Sequence, residues 1–109
     1  LSRLPEMVRF AQGLLREMGL TGNILGHVGD GNFHTRIPVL LEDYPKAEAY
    51  AERLVEKALE LGGTCTAEHG VGLRKRKFLP KEHGPALEWM RRLKALFDPE
   101  GLLNPGKVV

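Results

Sequence analysis

Two histidines flank a glycine-rich turn in the segment 26–34, which reads GHVGDGNFH. The pair Asp30-Gly31 is favoured at the centre of a two-residue β-hairpin turn, and a turn there places His27 directly opposite His34. Opposed residues of antiparallel strands point to the same face, with Cβ atoms about 4.5–5.5 Å apart. The spacing therefore predicts two imidazoles that can bind one metal ion.

The residues around this turn alternate between apolar and polar types, which indicates a half-buried hairpin over about 22–39. One predicted face is mostly apolar and comprises Ile24, Gly26, Val28, Phe33, Thr35 and Ile37. The other is mostly polar and comprises Leu25, His27, His34 and Arg36. A four-residue loop over Gly29–Asn32 is an alternative that keeps the histidines close together.

Glu68 is the best candidate for a third metal ligand, because it follows a short predicted strand at 64–67 in a glycine-flanked segment. Two histidines and one carboxylate leave coordination positions open, as catalytic metal sites require; Zn²⁺ is the default ion, and Fe²⁺ or Mn²⁺ is compatible. His69 then remains as an acid or base. The alternative is that these are ordinary hydrogen-bonded residues beside turns. His83 is expected in a surface loop without a role.

Apolar residues at three- and four-residue spacing predict amphipathic helices over about 3–18 and 44–61. Ser2 and Asp43 are their expected N-caps. A short helix is expected to end near residue 77. This order of elements indicates an α+β fold: helices pack on one face of a small antiparallel sheet with the hairpin at its centre.

A last helix is predicted to begin near Gly84-Pro85 and to stop at Asp98-Pro99. Its apolar residues are expected to face the interior; they are Ala86, Met90, Leu93, Leu96 and Phe97. The tail that follows has turn chemistry and no periodicity.

The composition is that of one soluble globular domain: 109 residues, 42% hydrophobic and 28% charged. A net charge of +2 and a basic run of only four residues, 74–77, do not favour nucleic acid or a membrane surface as partner. No apolar run approaches the ~20 residues of a membrane span.

Cys65 is the single cysteine, which fits a reducing compartment and a small buried hydrophobe. The start at Leu1, without Met, suggests a piece of a longer polypeptide.

Three motifs occur in order along the chain: GHVGDGNFH at 26–34, EHGVGLRK at 68–75 and FDPEGLLNPGK at 97–107. Together they resemble the C-terminal domain of FAD-linked oxidases of the vanillyl-alcohol-oxidase type, especially the D-lactate dehydrogenase, glycolate oxidase and D-2-hydroxyglutarate dehydrogenase members. The resemblance runs from about Thr21 to the end. It implies that 1–109 is the C-terminal cap or substrate domain of a flavoenzyme that oxidises a D-2-hydroxy acid to the 2-keto acid. The family's FAD-binding domain lies N-terminal to this one, so the fragment alone is expected to be inactive.

The resemblance also implies roles for individual residues. His27, His34 and Glu68 would bind the divalent metal, and His69 would act on the substrate beside the flavin. Asn32 would lie near substrate and flavin, and Lys75 near the substrate. Gly70 allows close approach of a planar ligand. The remaining expected flavin contacts are Asn104 and Lys107.

The resemblance implies as partners a small 2-hydroxy acid, the chain's own FAD-binding domain, and a second copy or other subunits of an oxidase complex. Nucleic acid is not among them. The expected location is cytoplasmic, with the full-length protein peripheral on a membrane as a variant. Two other classes stay open on the residues alone. One is a stand-alone metal-binding module or metal-dependent hydrolase, and the other is a non-catalytic interaction domain whose glycines serve turns only.

Overall fold

The structure is a computed structural model that describes all 109 residues, and it divides into two compact units, Leu1–Gly63 and Thr64–Val109. Helices and a two-stranded antiparallel sheet confirm the predicted α+β class. The helices and strands are α1 (Leu4–Glu17), β1 (Asn23–His27), β2 (Asn32–Arg36), α2 (Tyr44–Glu60), α3 (Leu79–His83) and α4 (Ala86–Phe97). None of the helices is both long and apolar enough to span a bilayer.

The two long helices of the first unit lie within a residue of their predicted limits, but their N-termini differ from expectation. Arg3, not Ser2, is the N-cap of α1, and Asp43 at the start of α2 makes no side-chain capping bond. Each helix instead has Pro in its first turn, where the missing N–H is of no consequence. Gly19 and Gly62 follow the helix ends with φ of 60° and 75°, the left-handed geometry that closes a helix.

The core of the first unit lies between its two helices and one face of the hairpin. Tyr50 of α2 is fully buried, and its hydroxyl donates to the Ala11 carbonyl at 3.3 Å and lies 3.2 Å from Thr35 Oγ1 on β2. Leu14 and Leu15 complete the buried centre, and the side chains packed against it are Phe10, Met18, Leu20, Ile24, Ile37 and Leu54. The predicted packing of helices on one sheet face is therefore present in this unit.

The hairpin register differs from the predicted one by two residues. His27 pairs with Asn32 and Leu25 pairs with His34, so the histidines are not directly opposed. The loop has four residues, but they are Val28–Gly31 and not the predicted alternative Gly29–Asn32. Val28, expected on the apolar face, is consequently exposed in this loop.

The backbone of the loop explains the register. A two-residue turn at Asp30-Gly31 needs positive φ at both residues, which costs a non-glycine residue energy. Here only Gly31 is left-handed, with φ of 72°, while Asp30 belongs to a single 3₁₀ turn over Val28–Asp30. A four-residue loop needs one glycine where the tighter turn needs two permissive residues.

A shift of two residues keeps every side chain that remains within the strands on its predicted face, because strand side chains alternate with a period of two. Ile24 and Thr35 still face the helices, and His27 and His34 still share the opposite face. The histidines have become diagonal neighbours instead of opposed ones. Diagonal neighbours are about 7–8 Å apart at their backbones and remain within reach of long or aromatic side chains.

Gly26 is required where β1 crosses close to β2. A Cβ placed there would lie 2.7 Å from both Cα and Cβ of Phe33 and closer still to the Asn32 carbonyl oxygen. Because this obstruction is backbone, we expect Gly26→Ala to lower the free energy of unfolding by about 1–3 kcal/mol, as overpacking does. Urea unfolding followed by circular dichroism measures it. Gly29→Ala is the matched control, since nothing lies within 4 Å of its Cβ position; equal stability of the two variants would contradict the expectation.

Thr64–Ala67 is not a strand, which corrects the prediction made from its β-branched residues. Its polar groups bond elsewhere: Thr64 Oγ1 accepts the Thr66 N–H at 3.2 Å, and the Cys65 N–H donates to Glu82 at 3.0 Å. Local side-chain acceptors of this kind compete with strand pairing. Ala67 has φ of 43°, which an extended strand excludes.

The helices of the second unit also depart from expectation. Turns and a single 3₁₀ turn over Arg76–Phe78 replace the short helix expected near residue 77, and α3 follows where a loop containing His83 was predicted. Helix α4 begins and ends close to its predicted limits.

The predicted inward face of α4 is wrong. Leu87 is its buried residue, whereas Leu96 and Phe97 are 72% and 79% exposed. Together with Trp89 and Leu93 they form an exposed stripe at helical spacing, here called the α4 apolar stripe. Periodicity identified the apolar side of the helix, but the small second unit packs against Leu87 on another side.

Candidate active site

His27 and His34 form a close pair on the hairpin face opposite the one that packs on the helices; His27 is exposed and His34 is half-buried. Their ring centroids are 6.3 Å apart with the ring planes at 86°. A ring nitrogen of His27 lies within 4.8 Å of a ring nitrogen of His34. Each ligand nitrogen in a tetrahedral zinc site is about 2.0–2.1 Å from the ion, so two such nitrogens are some 3.3 Å apart. A separation within 4.8 Å is of the same order, so the donor chemistry of these two side chains fits a divalent metal.

Asn32 begins β2 and pairs directly with His27. Its side-chain oxygen is buried and has no hydrogen-bond partner in the protein. Buried polar atoms without a partner are rare in native proteins, and each one asks for an explanation. An acceptor held in this state beside the histidines is available to a donor from a bound molecule.

Glu68 and His69 lie on a turn in the second unit. The His69 N–H donates to the Thr66 carbonyl at 3.2 Å, which closes the turn, and His69 Nε2 is 3.3 Å from Glu68 Oε1. The residues on either side of Glu68 and His69 have left-handed backbone conformations: Ala67 has φ of 43° and Gly70 has φ of 71°. Nothing lies within 4 Å of a Cβ at Gly70, so the backbone angle is the observed reason for glycine there. The His69 side chain is 72% exposed, so a ligand can reach it.

The segment before this turn is held by Glu82 of α3. Burial opposes ionisation of Glu82, but hydrogen bonds from Cys65 and Thr64 outweigh it and lower the pKa of the carboxyl below its ordinary value. Burial is the main cause, and the contact with Glu82 the second, of a pKa of the Cys65 thiol that is raised to about 11. The thiol is therefore protonated near neutral pH and serves as a buried donor, as the sequence predicts for a non-catalytic cysteine.

Asp98 organises the tail that carries Asn104 and Lys107. Its side chain is 6% exposed and accepts the N–H groups of Leu102 and Leu103, each at 2.9 Å, as well as a bond from Lys94 Nζ. The Lys94 hydrogen bond is the main reason why the pKa of Asp98 lies below its ordinary value. The sequence predicts Asp98 only as the end of a helix, but Asp-Pro-x-Gly is also a turn sequence in which the Asp side chain accepts bonds from the following backbone.

The tail is tied to the second motif within the same unit. The Val108 N–H donates to the Gly72 carbonyl at 3.3 Å, and Arg76 donates to the Gly106 carbonyl at 2.6 Å. Asn104 has φ of 49° and accepts a bond from Lys107 Nζ at 3.2 Å. The second unit thus connects the segment of Glu68, His69 and Lys75 to the tail, although Lys75 itself contacts neither Asn104 nor Lys107 in the bonds described. Arg76, a member of the basic run 74–77, is one of the connecting residues.

Comparison with protein families identifies this arrangement. The family described as "FAD linked oxidases, C-terminal domain" matches residues 1–108. The chain belongs to that family. Its two histidine-containing motifs and its tail are therefore parts of an FAD-oxidase C-terminal domain, and the resemblance inferred from the three motifs is confirmed.

Curated relatives of this FAD-oxidase domain come from several enzyme types. A probable mitochondrial D-lactate dehydrogenase of Danio rerio is 47% identical over the whole chain, which covers 23% of that protein. The glycolate oxidase subunit GlcD of Bacillus subtilis is 38% identical over 98% of the chain and 24% of its own length. A D-2-hydroxyglutarate dehydrogenase of Stutzerimonas stutzeri is 40% identical over 76% of the chain and 19% of its own length.

The chain thus spans about a quarter or less of the curated relatives it matches. Their names describe two dehydrogenases and an oxidase subunit, which agrees with the enzyme class expected of the family. The Danio rerio relative is named as mitochondrial, so a cytoplasmic location for this chain stays a prediction.

Proposed function

We propose that this chain is the substrate-facing domain of a flavoenzyme that oxidises a D-2-hydroxy acid to the 2-keto acid. The observation that carries the proposal is the similarity, over most or all of the chain, to relatives named for D-lactate, glycolate and D-2-hydroxyglutarate. These compounds share one chemical unit, a carboxylate next to a carbon that bears a hydroxyl. A domain common to all three enzyme types is suited to bind that unit.

The proposed metal ligands are His27, His34 and Glu68, with Zn²⁺ as the first candidate ion and Fe²⁺ or Mn²⁺ as the others. Support comes from the close imidazole pair, since two nitrogen donors within 4.8 Å suit a single ion. Glu68 adds the carboxylate that the family resemblance implies. Three protein ligands leave room for the oxygens of a hydroxy acid, as in other catalytic metal sites.

His69 is the proposed acid–base residue. Its exposed imidazole, 3.3 Å from a carboxylate oxygen of Glu68, takes the proton of the substrate hydroxyl. Lys75 holds the substrate carboxylate by charge, and the unpartnered oxygen of Asn32 accepts a hydrogen bond from the substrate or the flavin. When bound, FAD supplies the two-electron acceptor and the metal supplies a Lewis acid.

The proposed flavin contacts of this chain are Gly70, Asn104 and Lys107. The left-handed turns at Gly70 and Asn104 expose backbone groups, and Lys107 adds a positive charge beside the Asn104 side chain. The rest of the FAD would be held by the FAD-binding domain of the full-length protein.

The α4 apolar stripe supports a larger protein as the functional form. Trp89, Leu93, Leu96 and Phe97 are all more than half exposed, and contiguous exposed apolar groups mark interaction surfaces. We propose that further protein covers this stripe, with the chain's own FAD-binding domain as the first candidate and a second copy or another protein of an oxidase complex as the others. The chain alone would then be inactive.

The test is to purify the full-length protein and to record its absorption spectrum. We expect a flavin spectrum that bleaches when D-lactate, glycolate or D-2-hydroxyglutarate is added without oxygen, and that does not change with L-lactate. A colourless protein that hydrolyses esters or phosphates when metal is added would overturn the proposal in favour of a metal-dependent hydrolase. A colourless protein without metal or activity would favour an interaction domain.

A further inference from the structure

The turn that carries Glu68 and His69 needs an anchor from outside itself. It belongs to no helix or strand, it is flanked by left-handed residues, and the His69 side chain is 72% exposed. Left-handed geometry at Ala67 is unfavourable for a residue that has a Cβ, so neighbouring contacts have to stabilise it.

A continuous series of hydrogen bonds supplies the anchor. Glu82 Oε1 accepts the Thr64 hydroxyl at 2.5 Å, and Thr64 Oγ1 accepts the Thr66 N–H at 3.2 Å. The Thr66 carbonyl in turn accepts the His69 N–H at 3.2 Å. The series therefore starts at a carboxylate on α3 and ends at the backbone of His69.

Glu82 is well suited to start such a series. Its side chain is 12% exposed, and its second oxygen accepts the Cys65 N–H at 3.0 Å. Hydrogen bonds to an ionised acceptor are about twice as strong as neutral ones. The buried Cys65 is thus bonded to Glu82 of α3, and the bonds of Thr64, Thr66 and His69 restrict the backbone between Cys65 and His69.

We propose that Glu82 is a positioning residue for the reaction: its carboxylate fixes the turn that presents Glu68 and His69. The inference rests on the proposed function for the roles of those two residues. Glu82 itself is placed on α3 and touches neither of them in the bonds described.

The test compares variants of the full-length flavoprotein. We expect Glu82→Ala to lower kcat about 10- to 100-fold, the range for a small misplacement of catalytic groups, with a much smaller change in KM and unchanged flavin content. Glu82→Gln should fall between Glu82→Ala and wild type, because the amide keeps one acceptor and turns a donor toward the other. Glu88→Gln is the matched control: this exposed carboxylate on α4 pairs with Arg91 and Arg92.

Hydrogen exchange gives a second readout that does not depend on activity. The amides of Cys65, Thr66 and His69 should exchange faster in the Glu82 variants, while the amides of α1 and α2 keep their protection. If Glu82→Ala does not fold, Thr64→Val tests the positioning role instead. It removes the hydroxyl that joins the turn to Glu82 at an exposed position, and it leaves the bond from the Cys65 N–H to Glu82 in place.

The outcomes separate this inference from the function on which it rests. Unchanged kcat in Glu82→Ala, or in Thr64→Val where that variant decides, would overturn the positioning role. A wild-type protein that is not reduced by any hydroxy acid would overturn the proposed function instead. The hydrogen-exchange data would then test only whether Glu82 anchors the turn. Unchanged protection of the Cys65 and His69 amides in the Glu82 variants would overturn that anchoring role.

Discussion

Replacement of His69 by alanine in the full-length enzyme is expected to lower kcat by about 10²- to 10⁴-fold, the usual contribution of a positioned acid–base group. The imidazole is 72% exposed and lies on a turn, so its removal takes away chemistry and little packing. The measurement is the rate of flavin reduction by substrate in a rapid-mixing experiment.

His69→Gln is the matched variant, because it keeps polar groups of similar reach but cannot take up a proton near neutral pH. It should be as slow as the alanine variant, with normal flavin content in both. Turnover close to the wild-type value in either variant would remove His69 from the mechanism and leave the proton without an acceptor in this turn.

His27→Ala is expected to abolish stoichiometric metal binding by the full-length protein. One ligand of the proposed three is lost, and only one imidazole, that of His34, remains in the set. Affinity should drop well beyond the 10- to 100-fold that follows loss of a supporting contact. Elemental analysis after gel filtration measures the metal content per chain.

The control for this prediction is His83→Ala, since His83 ends α3 and belongs to no proposed ligand set. That variant should keep its ion. Full occupancy in His27→Ala would contradict the metal site, and removal of the ion by a chelator without loss of activity would separate the metal from the reaction. Restoration with zinc, iron or manganese salts in turn identifies the ion that the enzyme uses.

The hairpin shows what sequence can and cannot predict. Alternation assigned most side chains to the correct face, because a period of two follows from strand geometry alone. The register was wrong because it depends on whether Asp30 adopts positive φ, which its residue type permits but does not require. A shift by two residues kept the histidines together although they are not opposed.

The second unit was harder to predict because its bonds join residues distant in sequence. Glu82 lies 17 residues from Cys65, and no local pattern in Leu79–His83 indicates that it accepts bonds from the segment before the proposed site. Thr64–Ala67 has strand-type residues, yet this distant carboxylate and the Thr64 hydroxyl accept the N–H groups of Cys65 and Thr66. The three motifs predicted the family, and together they contain all of the proposed site residues.

The four-residue loop Val28–Gly31 decides how the two imidazoles are placed relative to each other. The tighter turn would align the histidines face to face, whereas the longer loop sets them on a diagonal. Backbone handedness at Asp30, which belongs to no proposed ligand set, therefore fixes the placement of the pair. Substitutions in the loop can change that placement while both histidines stay in the sequence.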